Sequence, residues 1–305
     1  MGNQHMLWGI DLGGTKIEGV ALDKKNQHRI LCRKRVPTES HLGYWHIIHQ
    51  IQLLIENMAE EVGSSPAALG IGTPGTLDPQ TQTMKNSNTT CLNGQAFQID
   101  LETALGIPIR MANDANCFAL AETKMGCIAE QLPDAQVVFG VIMGTGVGGG
   151  LVVNGQIIQG KQGIAGEWGH TYLDESGGAC YCGKIGCVET LISGPAVERY
   201  YAQLTGIQRP LKALIDLHKN QEDEQATATI KRLLHFFGKG IAQLINIIDP
   251  DAIVLGGGLG NIDLLYTAGV EEIKKQVFNP RLDTKILAPK LGDSAGVFGA
   301  AHLWD

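Results

Sequence analysis

The chain has 305 residues, 44% hydrophobic and 18% charged, the balance of a globular protein long enough for two lobes. A formal net charge of −7 argues against nucleic acid as a partner, because neutralising a phosphate backbone needs a basic face. The opening residues, Met1 to Asp11, lack the apolar core of a secretory signal, and Met6 stands where a myristoylation signal needs Ser or Thr, so no membrane association is expected.

In chain order, Leu7 to Leu22 (LWGIDLGGTKIEGVAL) reads as a strand, a glycine-rich turn and a second strand. Apolar residues at helical spacing follow from Tyr44 to Met58, and Ala68 to Leu77 reads as a buried strand running into glycines. Ile107 to Asn113 is a further strand, with helical sequence after Asp114. Val137 to Gly155 (VVFGVIMGTGVGGGLVVNG) repeats the opening design and ends on Asn154-Gly155, a tight-turn signal. The uncharged run Val137 to Val153 could pass for a membrane span, but its six glycines and Thr145 favour two short strands. Ile230 to Ile248 is helical up to a stop at Asp249-Pro250, and Ala252 to Gly260 matches Ala68 to Leu77 as a strand ending in glycines. The duplication predicts two similar α/β lobes with a cleft between them, the second starting between Arg110 and Val137. A single dinucleotide-binding sheet fits less well: the first glycine turn leads into strand-like sequence and GxGxxG is missing there. A P-loop is missing too, since Lys16 of GGTK lacks its framing.

Several stretches carry chemistry. Glycines in Asp11 to Lys16 can present backbone N–H groups to an anion, Thr15 adds a hydroxyl, and Asp11 could hold a hydrated Mg²⁺ beside phosphates. Gly144-Thr145-Gly146 is a matching turn, and two such turns can grip one polyphosphate. Gly256 to Gly260 leaves two readings open, a flat nucleoside against bare backbone or close packing. Asn113 and Asp114 sit at a strand–helix junction, where Asp114 is either a helix cap or the base that takes a proton from an attacking hydroxyl.

The chain has seven cysteines, Cys32, Cys91, Cys117, Cys127, Cys180, Cys182 and Cys187, an odd and scattered set that fits a reducing cytoplasm. His170, Cys180, Cys182 and Cys187 form a complete tetrahedral set for structural Zn²⁺, although Cys180-x-Cys182 is tighter than the usual C-x2-C. With no open position left, that metal would not activate water. Glu167 and Glu189 lie within three residues of a ligand, so the metal would also hold them in place.

Taken together, GIDLGGTK, GIGTPG, NDANCFALAE, GTGVGGGLVVNG, GEWGH, CYCGKIGCVET, SGP, DPDAIVLGGGL and GDSAGVFGAA closely resemble the ROK family of sugar kinases and repressors, over essentially the whole chain. The resemblance implies an actin-like fold of two RNase H-type lobes, residues 1–112 and 113–292, with the zinc loop at 170–187 and the C-terminal residues 293–305 rejoining the first lobe. It implies Asp114 as general base, with Asn88, Asn113, Glu167, His170 and Glu189 on the sugar, His170 using one ring nitrogen for zinc and the other for the sugar. Asp11, Gly13, Gly14, Thr15, Lys16, Gly144, Thr145 and Gly146 would take MgATP, and Gly256, Gly257 and Gly258 would lie near the adenosine. The expected reaction is transfer of the γ-phosphate of ATP to the 6-hydroxyl of a free hexose, in a cytoplasmic protein that resemblance makes a homodimer. Asn86 to Phe97 (NSNTTCLNGQAF) and the ending GVFGAAHLW look most like bacterial fructokinases that also take mannose, with N-acetylglucosamine kinases and glucokinases of the family next. Only nine residues, Thr171 to Ala179, separate His170 from Cys180, shorter than that likeness leads one to expect, and this loop would border the sugar. Repressors of the family carry an N-terminal DNA-binding domain, for which nothing before Asp11 leaves room.

Overall fold

A computed structural model describes residues 5–292 and 295–305; the first two residues of the expected C-terminal segment, 293 and 294, lie outside them. Two sheets carry the fold. The first contains β1 (Met6–Leu12), β2 (Lys16–Asp23), β3 (Arg29–Pro37), β4 (Leu69–Thr73) and β7 (Ile109–Asn113), in the order β3-β2-β1-β4-β7. A small ribbon, β5 (Thr76–Leu77) with β6 (Met84–Lys85), lies between β4 and β7 in the chain. The second sheet has β8 (Val137–Met143), β9 (Val147–Val153), β10 (Gln156–Ile157), β11 (Ala252–Gly256) and β12 (Lys285–Leu287), in the order β10-β9-β8-β11-β12. Each sheet therefore places its strands third, second, first, fourth, fifth in chain order, which is the duplication expected of RNase H-type lobes.

The local reasons are plain. β1, Met-Leu-Trp-Gly-Ile-Asp-Leu, is nearly all buried because it is flanked in its sheet by antiparallel β2 and parallel β4. Asn154 and Gly155 both have positive φ, 52° and 71°, the tight turn that joins β9 to β10. Helix α1 (Tyr44–Val62) buries Ile47, Ile48, Ile51, Leu54, Ile55 and Met58, the one-sided spacing seen in the sequence, and stops at Gly63 in the left-handed region. Ile51 is fully buried in that core, so Ile51→Ala should cost about 2–5 kcal/mol. The long helix α8 (Glu224–Ile248) starts on the Asp223 carboxylate, which accepts from the N–H groups of Gln225 and Ala226, and ends at Asp249 with φ 42°, before Pro250.

The chain forms two compact units: residues 1–133, 150–165 and 290–305, and residues 134–149 and 166–289. Residues 113–133, expected with the second lobe, fall in the first unit. The reason is packing: α3 (Asp114–Lys124), which follows α2 (Phe97–Leu105) and β7, lies against the C-terminal helix α11 (Ala295–Ala301), and α4 (Cys127–Gln131) lies against α3. A Cβ on Gly299 would sit 1.8 Å from the Cys117 carbonyl, so α3 and α11 meet at backbone distance. In the second unit α8 packs with α6 (Gly194–Thr205), α7 (Leu211–Lys219) and α10 (Ala268–Lys274), while α5 (Glu189–Ile192) and α9 (Asp263–Tyr266) are single turns. Among the described residues no helix is long and apolar enough to cross a membrane.

Candidate active site

In the first unit the glycine turn closes β1 onto β2. The Gly13 N–H donates to the Lys16 carbonyl (2.9 Å), and Thr38, which sequence reading did not single out, pins the turn from its N–H to the Thr15 carbonyl (3.0 Å) and from its hydroxyl to the Gly13 carbonyl (2.6 Å). Gly14, Thr15 and Lys16 are exposed. Asp11 is half-buried near the end of β1, between buried Ile10 and Leu12, and two glycines make room for it. A Cβ on Gly72 would stand 3.4 Å from one Asp11 oxygen, and one on Gly296 would stand 3.1 Å from the carboxyl carbon. Burial raises the Asp11 pKa to about 6, with repulsion from Asp114 and Glu18 adding to it and Lys16 opposing.

The cap of α3 is Asn113, not Asp114: the Asn113 Oδ1 accepts from the Asn116 N–H at 2.8 Å. Asp114 is the first helical residue, free of the capping role that was one of its two readings in the sequence. Its side chain reaches solvent, yet protein is packed densely enough around it that desolvation raises its pKa, against the N–H groups of Ala115 and of Asp114 itself. The Asp114 carboxylate is close enough to add to the upward push on Asp11. Asn88 is exposed on the loop after β6, with its N–H on the Pro74 carbonyl at 3.4 Å.

In the second unit the matching turn links β8 to β9. The Gly144 N–H donates to the Gly146 carbonyl (2.9 Å), and the Gly194 N–H donates to the Gly144 carbonyl (2.9 Å). Thr145 at the tip is exposed. Behind the turn lies Glu189, whose carboxylate accepts from the Val147 N–H at 2.9 Å. Gly256 is buried, whereas Gly257 and Gly258 are exposed. A Cβ on Gly257 would meet the Met143 carbonyl at 2.3 Å, while one on Gly258 would meet nothing within 4 Å. The two readings of this stretch thus divide, close packing at Gly257 and open backbone at Gly258.

The cysteine loop is held by short pairings, Tyr172 with Cys187 and Ala179 with Ile185, and by glycines with positive φ at Gly183 (86°) and Gly186 (74°). These bring one donor atom each from His170, Cys180, Cys182 and Cys187 within 4.8 Å of one another. Cys180 Sγ lies 3.6 Å from His170 Nδ1, and the Sγ atoms of Cys182 and Cys187 are 3.6 Å apart. A tetrahedral zinc with metal–sulfur bonds of about 2.3 Å requires donor separations of roughly 3.7 Å, so the donor set fits that ion. The other ring nitrogen, His170 Nε2, faces the Tyr181 hydroxyl at 3.0 Å. The carboxylates of Glu189 and Glu167 are close enough to act through space on that phenol. Tyr181, Gly72 and Gly296 all stand inside stretches noted in the sequence, but only folding reveals what they touch.

Comparison with known proteins agrees with this architecture. The ROK family model matches residues 7–305. The N-acetyl-D-glucosamine kinase of Aliivibrio fischeri is 34% identical over 308 aligned positions, covering 98% of this chain and 99% of that protein. The ROK hexokinase of Thermus thermophilus superposes with a TM-score of 0.86 at 30% identity, over 97% of this chain and 96% of the other. A ROK family glucokinase from Streptomyces griseus, solved with glucose and AMPPNP, gives 0.74 at 28% identity over 98% of each chain. A two-lobed α/β architecture, paired glycine turns and a match over nearly the entire length lead to one conclusion: the chain belongs to the ROK family, and its place there is with the sugar kinases.

Proposed function

We propose that the protein transfers the γ-phosphoryl group of ATP to the 6-hydroxyl of a free hexose. The observation that carries this reading is the Asp114 carboxylate. It is relieved of capping by Asn113, kept more basic than usual by its surroundings, and set where a strand hands over to a helix. A base of raised pKa can accept the hydroxyl proton as the oxygen attacks phosphorus. Asn88, Asn113, Glu167, His170 and Glu189 would hold the sugar hydroxyls. The turns at Gly13 to Lys16 and Gly144 to Gly146 would offer N–H groups to the phosphates, and Gly256 to Gly258 would flank the nucleoside. Asp11 would hold a hydrated Mg²⁺, which when bound offsets charge on the phosphates. His170, Cys180, Cys182 and Cys187 would hold Zn²⁺, which would supply rigidity to the loop and no open coordination site.

Fructose is the first candidate sugar, on the strength of the stretch from Asn86 to Phe97. N-acetylglucosamine is the second, favoured by the full-length likeness to kinases of that name. Measuring ADP release with MgATP and a panel of fructose, mannose, glucose, N-acetylglucosamine and allose tests both, ranked by kcat/KM. Release of ADP with none of them would overturn the kinase reading.

A further inference from the structure

We propose that Tyr181 is a placeholder for the sugar: its hydroxyl occupies the hydrogen-bonding position on His170 Nε2 that a sugar hydroxyl must take. The inference rests on the hexose kinase reading and adds a determinant of sugar affinity. His170 has two ring nitrogens, and Nδ1 is turned into the thiol cluster, 3.6 Å from Cys180 Sγ. Only Nε2 is left for an outside partner, and the Tyr181 hydroxyl already holds it at 3.0 Å. A sugar that uses His170 therefore has to displace the phenol.

Displacement is made easy by how Tyr181 is held. Its side chain is 84% exposed. Its ring meets His170 edge-on, with centroids 5.1 Å apart at 89°, so little packing opposes its rotation. The backbone beneath it is fixed by contrast: the Cys180 N–H donates to the Lys184 carbonyl at 2.8 Å, and the Gly183 N–H to the Cys180 carbonyl at 3.0 Å. Movement is thereby confined to the side chain. The phenol also lies near Glu167 and Glu189, both assigned to the same sugar. Losing a hydrogen bond at an exposed site weakens the resting state by an amount equivalent to about a two- to ten-fold change in an equilibrium constant.

The test is Tyr181→Phe, which keeps the ring and removes the hydroxyl. Two quantities are read: the sugar KM and kcat with MgATP, and the sugar Kd by calorimetry without nucleotide. The expected result is a fall in KM and Kd of about two- to ten-fold with kcat unchanged, and a fall in the same direction for Tyr181→Ala. Bound zinc, measured in parallel, should match wild type, which excludes damage to the loop. Unchanged or weaker sugar binding in Tyr181→Phe, with an active wild type, overturns the placeholder and leaves the kinase reading intact. Neutral binding in Tyr181→Phe with weakened binding in Tyr181→Ala would make the ring a platform for the sugar and also overturns it. A wild type that neither turns over nor binds any hexose overturns both readings.

Discussion

The two glycine turns occupy equivalent places, each after the first strand of its sheet, yet each treats its neighbouring acid differently. Asp11, ahead of the first turn, is desolvated by burial and repelled by Asp114 and Glu18, which together raise its pKa to about 6. Glu189, behind the second turn, has a backbone N–H on its carboxylate, from Val147 at 2.9 Å. An acid left under strain is ready to take a proton or a cation. An acid satisfied by backbone is a fixed support. On the proposed function the same hairpin, used twice, would serve the chemistry in one unit and the holding of substrate in the other, and variants should divide along that line.

The largest effect is expected at Asp114. Asp114→Asn should lower kcat by about 10²- to 10⁴-fold, while an ATP analogue binds within about twofold of wild type by calorimetry. Near-normal turnover would remove Asp114 from the role of base. The mirror experiment is Cys187→Ser in the second unit. It should release zinc, measured by elemental analysis, and raise the sugar KM about tenfold with kcat changed only a few fold. A protein that keeps its zinc and its sugar affinity would break the link between the loop and the substrate.

A direct contrast of the turns comes next. An alanine Cβ at Gly146 would stand 2.7 Å from the Glu189 carboxylate, whereas at Gly14 its nearest neighbour is the Thr89 hydroxyl at 3.9 Å. Gly146→Ala should lower unfolding stability by about 1–3 kcal/mol, and Gly14→Ala by less than about 0.5 kcal/mol. Equal losses in denaturant titrations would mean that the turns are not built differently. The smallest effect is on pH-dependent stability. The Asp11 pKa is raised from 3.8 to about 6 in the folded protein. The folded state therefore holds that proton more tightly than the unfolded chain, and stability falls as pH rises through this window and stays lower above it. Allowing for partial exposure, the loss is on the order of 1–2 kcal/mol. Asp11→Asn should then raise Tm relative to wild type at pH 8, with the gain fading toward pH 4; a gain independent of pH would rule out this origin.

What could be read from the chain alone follows the range of the interactions involved. The duplicated hairpins, the helix stop at Asp249-Pro250 and the four thiol–imidazole donors are written in adjacent residues, so spacing was enough to find them. The room made for Asp11 by Gly72 and Gly296 is not, because it depends on residues more than sixty and more than two hundred and eighty positions away being brought to one carboxylate. Glu122 shows the same limit. Nothing local in NDANCFALAE sets it apart, yet it is buried and accepts from the N–H groups of Cys127, Lys290 and Leu291. The Asn113 cap was within reach of sequence rules, but Asn and Asp are comparable as caps, and adjacent candidates cannot be separated without the backbone. The extent of the first unit past residue 113 was hidden for the same reason, since it rests on α3 meeting a helix from the far end of the chain.

Gly9 and Gly70 carry no side chain where the backbone of the last helix passes. A Cβ on Gly9 would meet the Ala301 nitrogen at 2.4 Å, and one on Gly70 would meet the Ala300 carbonyl at 1.8 Å. During synthesis β1 and β4 leave the ribosome well before the helix that covers these bare strands. Residues 134–149 and 166–289, the whole of the second unit, have emerged before it. The unit begun first is therefore completed after the second, and until that helix emerges its glycine-lined strands wait uncovered, a stretch of biogenesis in which a chaperone has something to hold.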